Sequence, residues 1–220
     1  MEPVLIETII LALWGMGSLM IATHLSMIVV FGHHLRSETW YVLVLFMVSV
    51  AGLCSKTLYM FFPVTWLGFL LVFLSPILGY GLYRLDQFII GKYRKKTIKT
   101  PFLLTSADKA QANQKQINLS FIGSTMLVLV AIFEEIVYRG VLLHIVFDPE
   151  QMMTSIFMVM ILVSWFALIH VWYRWVNVLA KAPLGVVTTL VTLVGGGVIA
   201  SIITHVTFNY FISLRMKRGV

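Results

Sequence analysis

The chain is a succession of long apolar runs separated by short polar breaks. Residues 4–31 are almost continuously apolar, and the first break, Gly32-His33-His34-Leu35-Arg36-Ser37-Glu38, comes at once. A second run starts near Trp40 and weakens at Ser55-Lys56. The aromatic cluster after it, Tyr59-Met60-Phe61-Phe62-Pro63, has the composition of an interfacial belt with a turn. A third run covers residues 64–83, with a kink predicted at Pro76. Residues 84–118 form the longest polar segment, and apolar runs resume over 119–147, 152–172 and 184–214. A helix needs about 20 apolar residues to cross the hydrocarbon core, so these runs predict transmembrane helices. The last run is too long for one span, and Gly195-Gly196-Gly197 breaks it into a hairpin. The hairpin's first arm is short for a full crossing and reads as re-entrant or tilted. The pattern predicts an all-α polytopic transmembrane bundle of about seven spans.

The charges in the breaks orient that bundle. Segment 84–118 carries Arg84, Lys92, Arg94, Lys95, Lys96, Lys99, Lys109 and Lys115 against Asp86 and Asp108, which places it on the cytoplasmic side. Asp148-Pro149-Glu150 fits the outer side, whereas Tyr173-Arg174, Lys181 and the terminal Arg215, Lys217 and Arg218 read as cytoplasmic. The N-terminus is then outside and the C-terminus inside. The basic run 92–99 suits contact with anionic lipid, and 106–116 is compatible with an amphipathic surface helix. Met1-Glu2-Pro3 lacks a basic n-region and no Ala-x-Ala site comes after it, so the first run is expected to be a span and not a signal peptide. No inverted repeat is visible. The organisation expected is a three-span N-terminal region with its basic loop, 1–118, and a membrane core, 119–220.

Composition agrees with this picture and removes other classes. Of 220 residues 60% are hydrophobic and 11% charged, against about 25% charged in soluble domains. An integral protein of the cell membrane with lipid as its surroundings is implied, with no room for a large soluble domain. The net charge of +7 reports loop placement, and no nucleic-acid-binding fold accompanies it. The single Cys54 excludes an intramolecular disulfide framework and reads as packing.

Against that background Glu134-Glu135-Ile136-Val137-Tyr138-Arg139-Gly140 stands out, because three ionisable side chains lie inside an apolar run. A charge at the centre of a membrane helix costs roughly 2.5–3.5 kcal/mol on insertion scales. Glu135 and Arg139, four apart, share a helix face and can pair. Glu134 is turned about 100° away by the helix period. A buried salt-bridge cluster between helices would account for these three residues alone. Two further runs add Phe166-x-x-x-His170 and His205-x-x-x-Asn209, each pair one turn apart. Intramembrane ionisable groups face a bundle interior or a water-filled cavity, and one cavity for Glu134, His170, His205 and Asn209 is the economical arrangement. A carboxylate and an imidazole beside water are general-base equipment. A second His and an Asn can donate to an oxyanion. Together they suit amide hydrolysis. The same groups could also bind a divalent metal such as zinc, with Glu134, His170 and His205 as ligands. However, no His-Glu-x-x-His motif is present and Asn is an uncommon zinc ligand. Proton-coupled transport also uses Glu and His within the membrane. His24, His33, His34 and His144 read as interfacial or isolated, and the methionines Met152, Met153, Met158 and Met160 as packing or lipid-facing residues.

The series Glu134-Glu135-x-x-x-Arg139-Gly140, Phe166-x-x-x-His170 and His205-x-x-x-Asn209 resembles the CPBP family of CAAX-protease and bacteriocin-processing intramembrane proteases, also called Abi. The resemblance covers about residues 119–209. It implies that Glu134 activates the attacking water with help from His170, and that His205 and Asn209 stabilise the oxyanion. Glu135 and Arg139 would support the site as a pair, and Phe166 would shape the pocket. Members are called metalloproteases, yet similar enzymes are described as glutamate-dependent without a metal. The implied substrate is a membrane-associated peptide or protein. The small chain resembles the bacterial branch, where the tasks are bacteriocin or signal-peptide maturation, CAAX-type cleavage or self-immunity. A non-catalytic immunity or scaffold protein of the same fold and a small transporter remain the alternatives.

Overall fold

The computed structural model describes residues 42, 45–50, 62–63, 65–97, 121–173, 175–195 and 197–217. The first predicted span, His24, His33, His34, Cys54 and the proposed surface helix at 106–116 lie outside them. Nearly every described residue is helical, and no strand occurs among them. Three of the described helices are long and apolar enough to cross a membrane: Trp66–Tyr93, Pro149–Val171 and Trp175–Gly195.

The first long helix, α1, is Trp66–Thr97. Thr65 caps it, its hydroxyl accepting from the Gly68 N–H at 2.9 Å. The helix passes through Pro76 and does not stop at residue 83, where the apolar run ends. The first fourteen residues of the predicted polar loop are therefore its continuation, and Asp86 within them is fully buried. Phe69, Phe73 and Ile77 are exposed, the face a lipid-embedded helix presents.

Helix α2, Phe121–Glu135, does not continue as an α-helix through the charged motif. Ile136–Leu142 is a π-helical turn, closed by the i→i+5 bond from the Leu143 N–H to the Tyr138 carbonyl, before α3, Leu143–Val146, resumes. A tight turn over Pro149–Gln151 comes next. The Asp148 carboxylate accepts from the Glu150 N–H at 2.9 Å, and the Ser155 hydroxyl donates to the Asp148 carbonyl at 2.8 Å. Helix α4, Met152–Leu168, tightens at its end into a 3-10 segment, Ile169–Tyr173.

Helix α5, Trp175–Gly195, begins well before the apolar run at 184 and contains Lys181 and Pro183. The hairpin's first arm is thus a 21-residue helix, and Lys181 lies within it and not in a loop. The predicted break is present: α5 ends at Gly195, and α6, Ile199–Lys217, begins four residues later. A Cβ at Gly197 would lie 2.6 Å from the Phe62 carbonyl oxygen, so the turn crosses the chain before α1 at a distance only glycine permits.

Helix α6 packs against α1, α2 and α5, and α5 also packs against α1 and α4. Gly79 of α1 meets the Thr204 carbonyl and the Thr207 side chain of α6, an approach a larger residue would block. Hydroxyls inside the helices bond the carbonyl one turn back, as at Ser75, Thr188, Thr192 and Thr204. That is how such groups are satisfied where no water reaches them. The apolar core gathers Val137, Tyr138, Leu162, Phe166, Leu184 and Phe208 beneath the charged motif.

Candidate active site

Glu134 and Glu135, at the junction of α2 and the π turn, are both buried. Glu135 Oε1 accepts from Arg139 Nη1 at 3.3 Å and from His205 Nδ1 at 2.8 Å. A carboxylate only accepts, so Nδ1 carries hydrogen and the other ring nitrogen is turned to the neighbouring carboxylate. His205 Nε2 lies 3.7 Å from Glu134 Oε2. One imidazole from α6 thus stands between two adjacent glutamates. The Glu135–Arg139 pair expected from four-residue spacing is present, although the backbone between them is π-helical.

Arg139 is held on three further sides. Its Nη2 donates to the Gly185 carbonyl of α5 at 3.0 Å, and its guanidinium carbon lies 4.2 Å from the Phe166 ring centroid and 5.7 Å from that of Tyr138. Cation–π contact of this kind is worth about 2 kcal/mol where desolvated. Gly185 is what permits the approach, because a Cβ there would come 2.9 Å from Phe166 Cδ1.

Phe166 is central in the geometric sense. Its ring meets Tyr138 at 5.3 Å, His170 at 5.6 Å and His205 at 5.9 Å, each edge to face. His170 sits in the 3-10 segment, where its Nδ1–H donates to the Phe166 carbonyl at 3.0 Å, which makes Nε2 the acceptor nitrogen of the ring. It reaches the cluster across the Phe166 ring. Asn209, one turn beyond His205, donates from Nδ2 to the Leu127 carbonyl of α2 at 3.0 Å, which ties α6 to α2. That bond uses one of its two amide hydrogens.

The seven residues singled out by spacing therefore lie in one connected region, six of them buried and His170 half-buried, with Glu134, Glu135, Arg139 and His205 in direct contact. The set Glu134, His170 and His205 does not close into a metal cage: no group of three His, Cys, Asp or Glu suited to a metal occurs among the described residues. His205 faces carboxylates through both nitrogens, and His170 Nδ1 is taken by a carbonyl. Without a metal, the arrangement can still orient water against a carboxylate and an imidazole.

Residues 116–211 match the family model described as Type II CAAX prenyl endopeptidase Rce1-like. That segment is CPBP-family sequence. No curated protein and no solved structure matches the chain. The CPBP segment takes in Glu134, Glu135, Arg139, Phe166, His170, His205 and Asn209 together, and the family supports a protease in a membrane. It leaves out α1, which nevertheless packs on two of the CPBP helices.

Motif spacing missed Gly185, Tyr138, Phe208 and the ion pair of Lys181 with Asp86. Gly185 and Phe208 carry no chemical signal of their own. Asp86 and Lys181 were readable only by letting each helix run past its apolar stretch, since a 21-residue span tolerates one lysine.

Proposed function

We propose that the protein is an intramembrane endopeptidase that hydrolyses a peptide bond of a membrane-associated peptide or protein, with water activated at Glu134. The observation that carries this reading is the His205 ring held between two buried glutamates inside CPBP-family sequence. Glu134 takes a proton from water while His170 Nε2 accepts the other water hydrogen and orients it. The water oxygen attacks the scissile carbonyl carbon, and the carbonyl electrons move onto its oxygen. His205 in its protonated form donates from Nε2 to that oxyanion, with Glu135 holding Nδ1, and Asn209 donates its second amide hydrogen. Glu134 then returns the proton to the leaving nitrogen as the carbon–nitrogen bond breaks. Exclusion of bulk water by the apolar core strengthens each of these interactions. No step is routed through a metal.

The same reading takes the chain as a multi-pass protein of the cell membrane, with about seven spans, the N-terminus outside and the C-terminus in the cytoplasm. Residues 1–118 are a three-span region before the catalytic core 119–220. Maturation of a bacteriocin or signal peptide, CAAX-type cleavage and self-immunity are the tasks it fits, in the bacterial branch of the family. The test is hydrolysis by purified protein of membrane-associated peptides in water enriched in oxygen-18. Mass spectrometry is expected to find one heavy oxygen in the new carboxylate of the N-terminal product and none added to the C-terminal product. Intact peptide with the protein folded would favour the scaffold reading, and flux across proteoliposomes without cleavage the transporter.

A further inference from the structure

Lys181 and Asp86 lie outside the three motifs, and both are charged side chains within helices that can span a membrane. Lys181 Nζ of α5 donates to Asp86 Oδ1 of α1 at 3.0 Å. The other carboxylate oxygen accepts from the Gln87 amide at 2.9 Å, so both Asp86 oxygens are occupied. Lys181 Nζ also lies 4.0 Å from the centroid of Phe208 on α6. Phe208 in turn meets the His205 ring at 6.3 Å, and Asn209 is the next residue. The ammonium is thus fixed among three helices, one turn from His205. Its side chain is 16% exposed while that of Asp86 is fully buried. It interacts electrostatically with Glu134 and with His170.

A buried ion pair is weak evidence for stability, since apolar residues of similar volume often hold a fold equally well. Charges at membrane depth therefore call for a reason. Arg139 is already engaged by Glu135, Gly185, Phe166 and Tyr138, and three carboxylates share the region. We propose that Lys181 is a positioning residue of this site: pinned by Asp86 against Phe208, it holds α6, with His205 and Asn209, in register with Glu134 and supplies a second fixed positive charge beside that glutamate. This rests on the proposed hydrolytic reading and adds a residue to it. The ammonium acts through Glu134 and α6 and makes no bond to the substrate.

The test measures kcat, KM and thermal stability in detergent for three variants. The double variant Asp86→Leu/Lys181→Met replaces the pair by apolar groups. It is expected to keep its melting temperature and KM while losing at least tenfold in kcat. The swap Asp86→Lys/Lys181→Asp restores a pair of reversed sense and is expected to stay at least tenfold slow. Lys181→Arg, which can still pair with Asp86 and lie on Phe208, is expected within threefold of the wild type. Wild-type kcat in either double variant would overturn the proposal and leave the pair a staple between helices. Loss of activity in Lys181→Arg equal to that of the doubles would also overturn it. The parent reading stands or falls separately, on whether Glu134→Gln abolishes cleavage.

Discussion

Glu135 gathers two donors on a single oxygen, and its second oxygen has no hydrogen-bond partner among the described residues. Glu134 stands one residue away and meets the same imidazole from the other side. Substitution should separate the two carboxylates. Glu135→Gln leaves the Arg139 guanidinium buried without its counter-charge, and breaking such a pair costs about 3–5 kcal/mol. Thermal unfolding in detergent is expected to show that loss, together with lost cleavage. Glu134→Gln is expected to unfold close to the wild type. Gly185→Val places methyl groups where Phe166 and Val163 now lie. Overpacking of this sort costs about 1–3 kcal/mol, read in the same unfolding assay, with activity falling as Phe166 is pushed toward His205. The charged residues were legible in the sequence because ionisable groups in an apolar run demand partners. Gly185 was not, because its role is a missing Cβ facing a ring contributed by another helix.

At the scale of elements, the π turn Ile136–Leu142 sets the directions of the motif's side chains. π turns inside α-helices occur often at functional sites, and this one directly succeeds the two glutamates. Deleting Val141 should let the segment close as an α-helix and rotate α3 relative to α2, while the apolar length remains enough to insert. Cleavage is expected to be lost with membrane insertion retained, measured by carbonate extraction of membranes; a fully active deletion would show the wide turn to be dispensable. Spacing alone predicted the Glu135–Arg139 contact correctly while giving no hint of the π geometry, since four-residue pairs can meet over either backbone. Apolar runs located the helices, but α1 and α5 each extend beyond their run. Asp86 and Lys181 pair across the bundle at 3.0 Å, so each helix carries a charge that has its partner on the other. A reading that treats every charge as a loop marker misassigns such a pair.

At the scale of the molecule, among the described helices α6 contacts α1, α2 and α5 and carries His205, Phe208 and Asn209. The site is therefore assembled by tertiary packing, and only the joint presence of three motifs made it visible in the sequence. A chelator separates the two kinds of chemistry open to this donor set. Cleavage is expected to persist in EDTA and to gain nothing from added zinc; activity lost to EDTA and restored by zinc would contradict the metal-free route. Activation of water by Glu134 is the step on which the proposed peptide hydrolysis depends. It is tested most directly by purified wild-type and Glu134→Gln protein in proteoliposomes, offered the same membrane-associated peptide, with products counted by mass spectrometry. Cleavage by the wild type is expected, with a fall of at least ~100-fold in the variant, the scale of a lost general base, at unchanged melting temperature. Equal product from both proteins would contradict it.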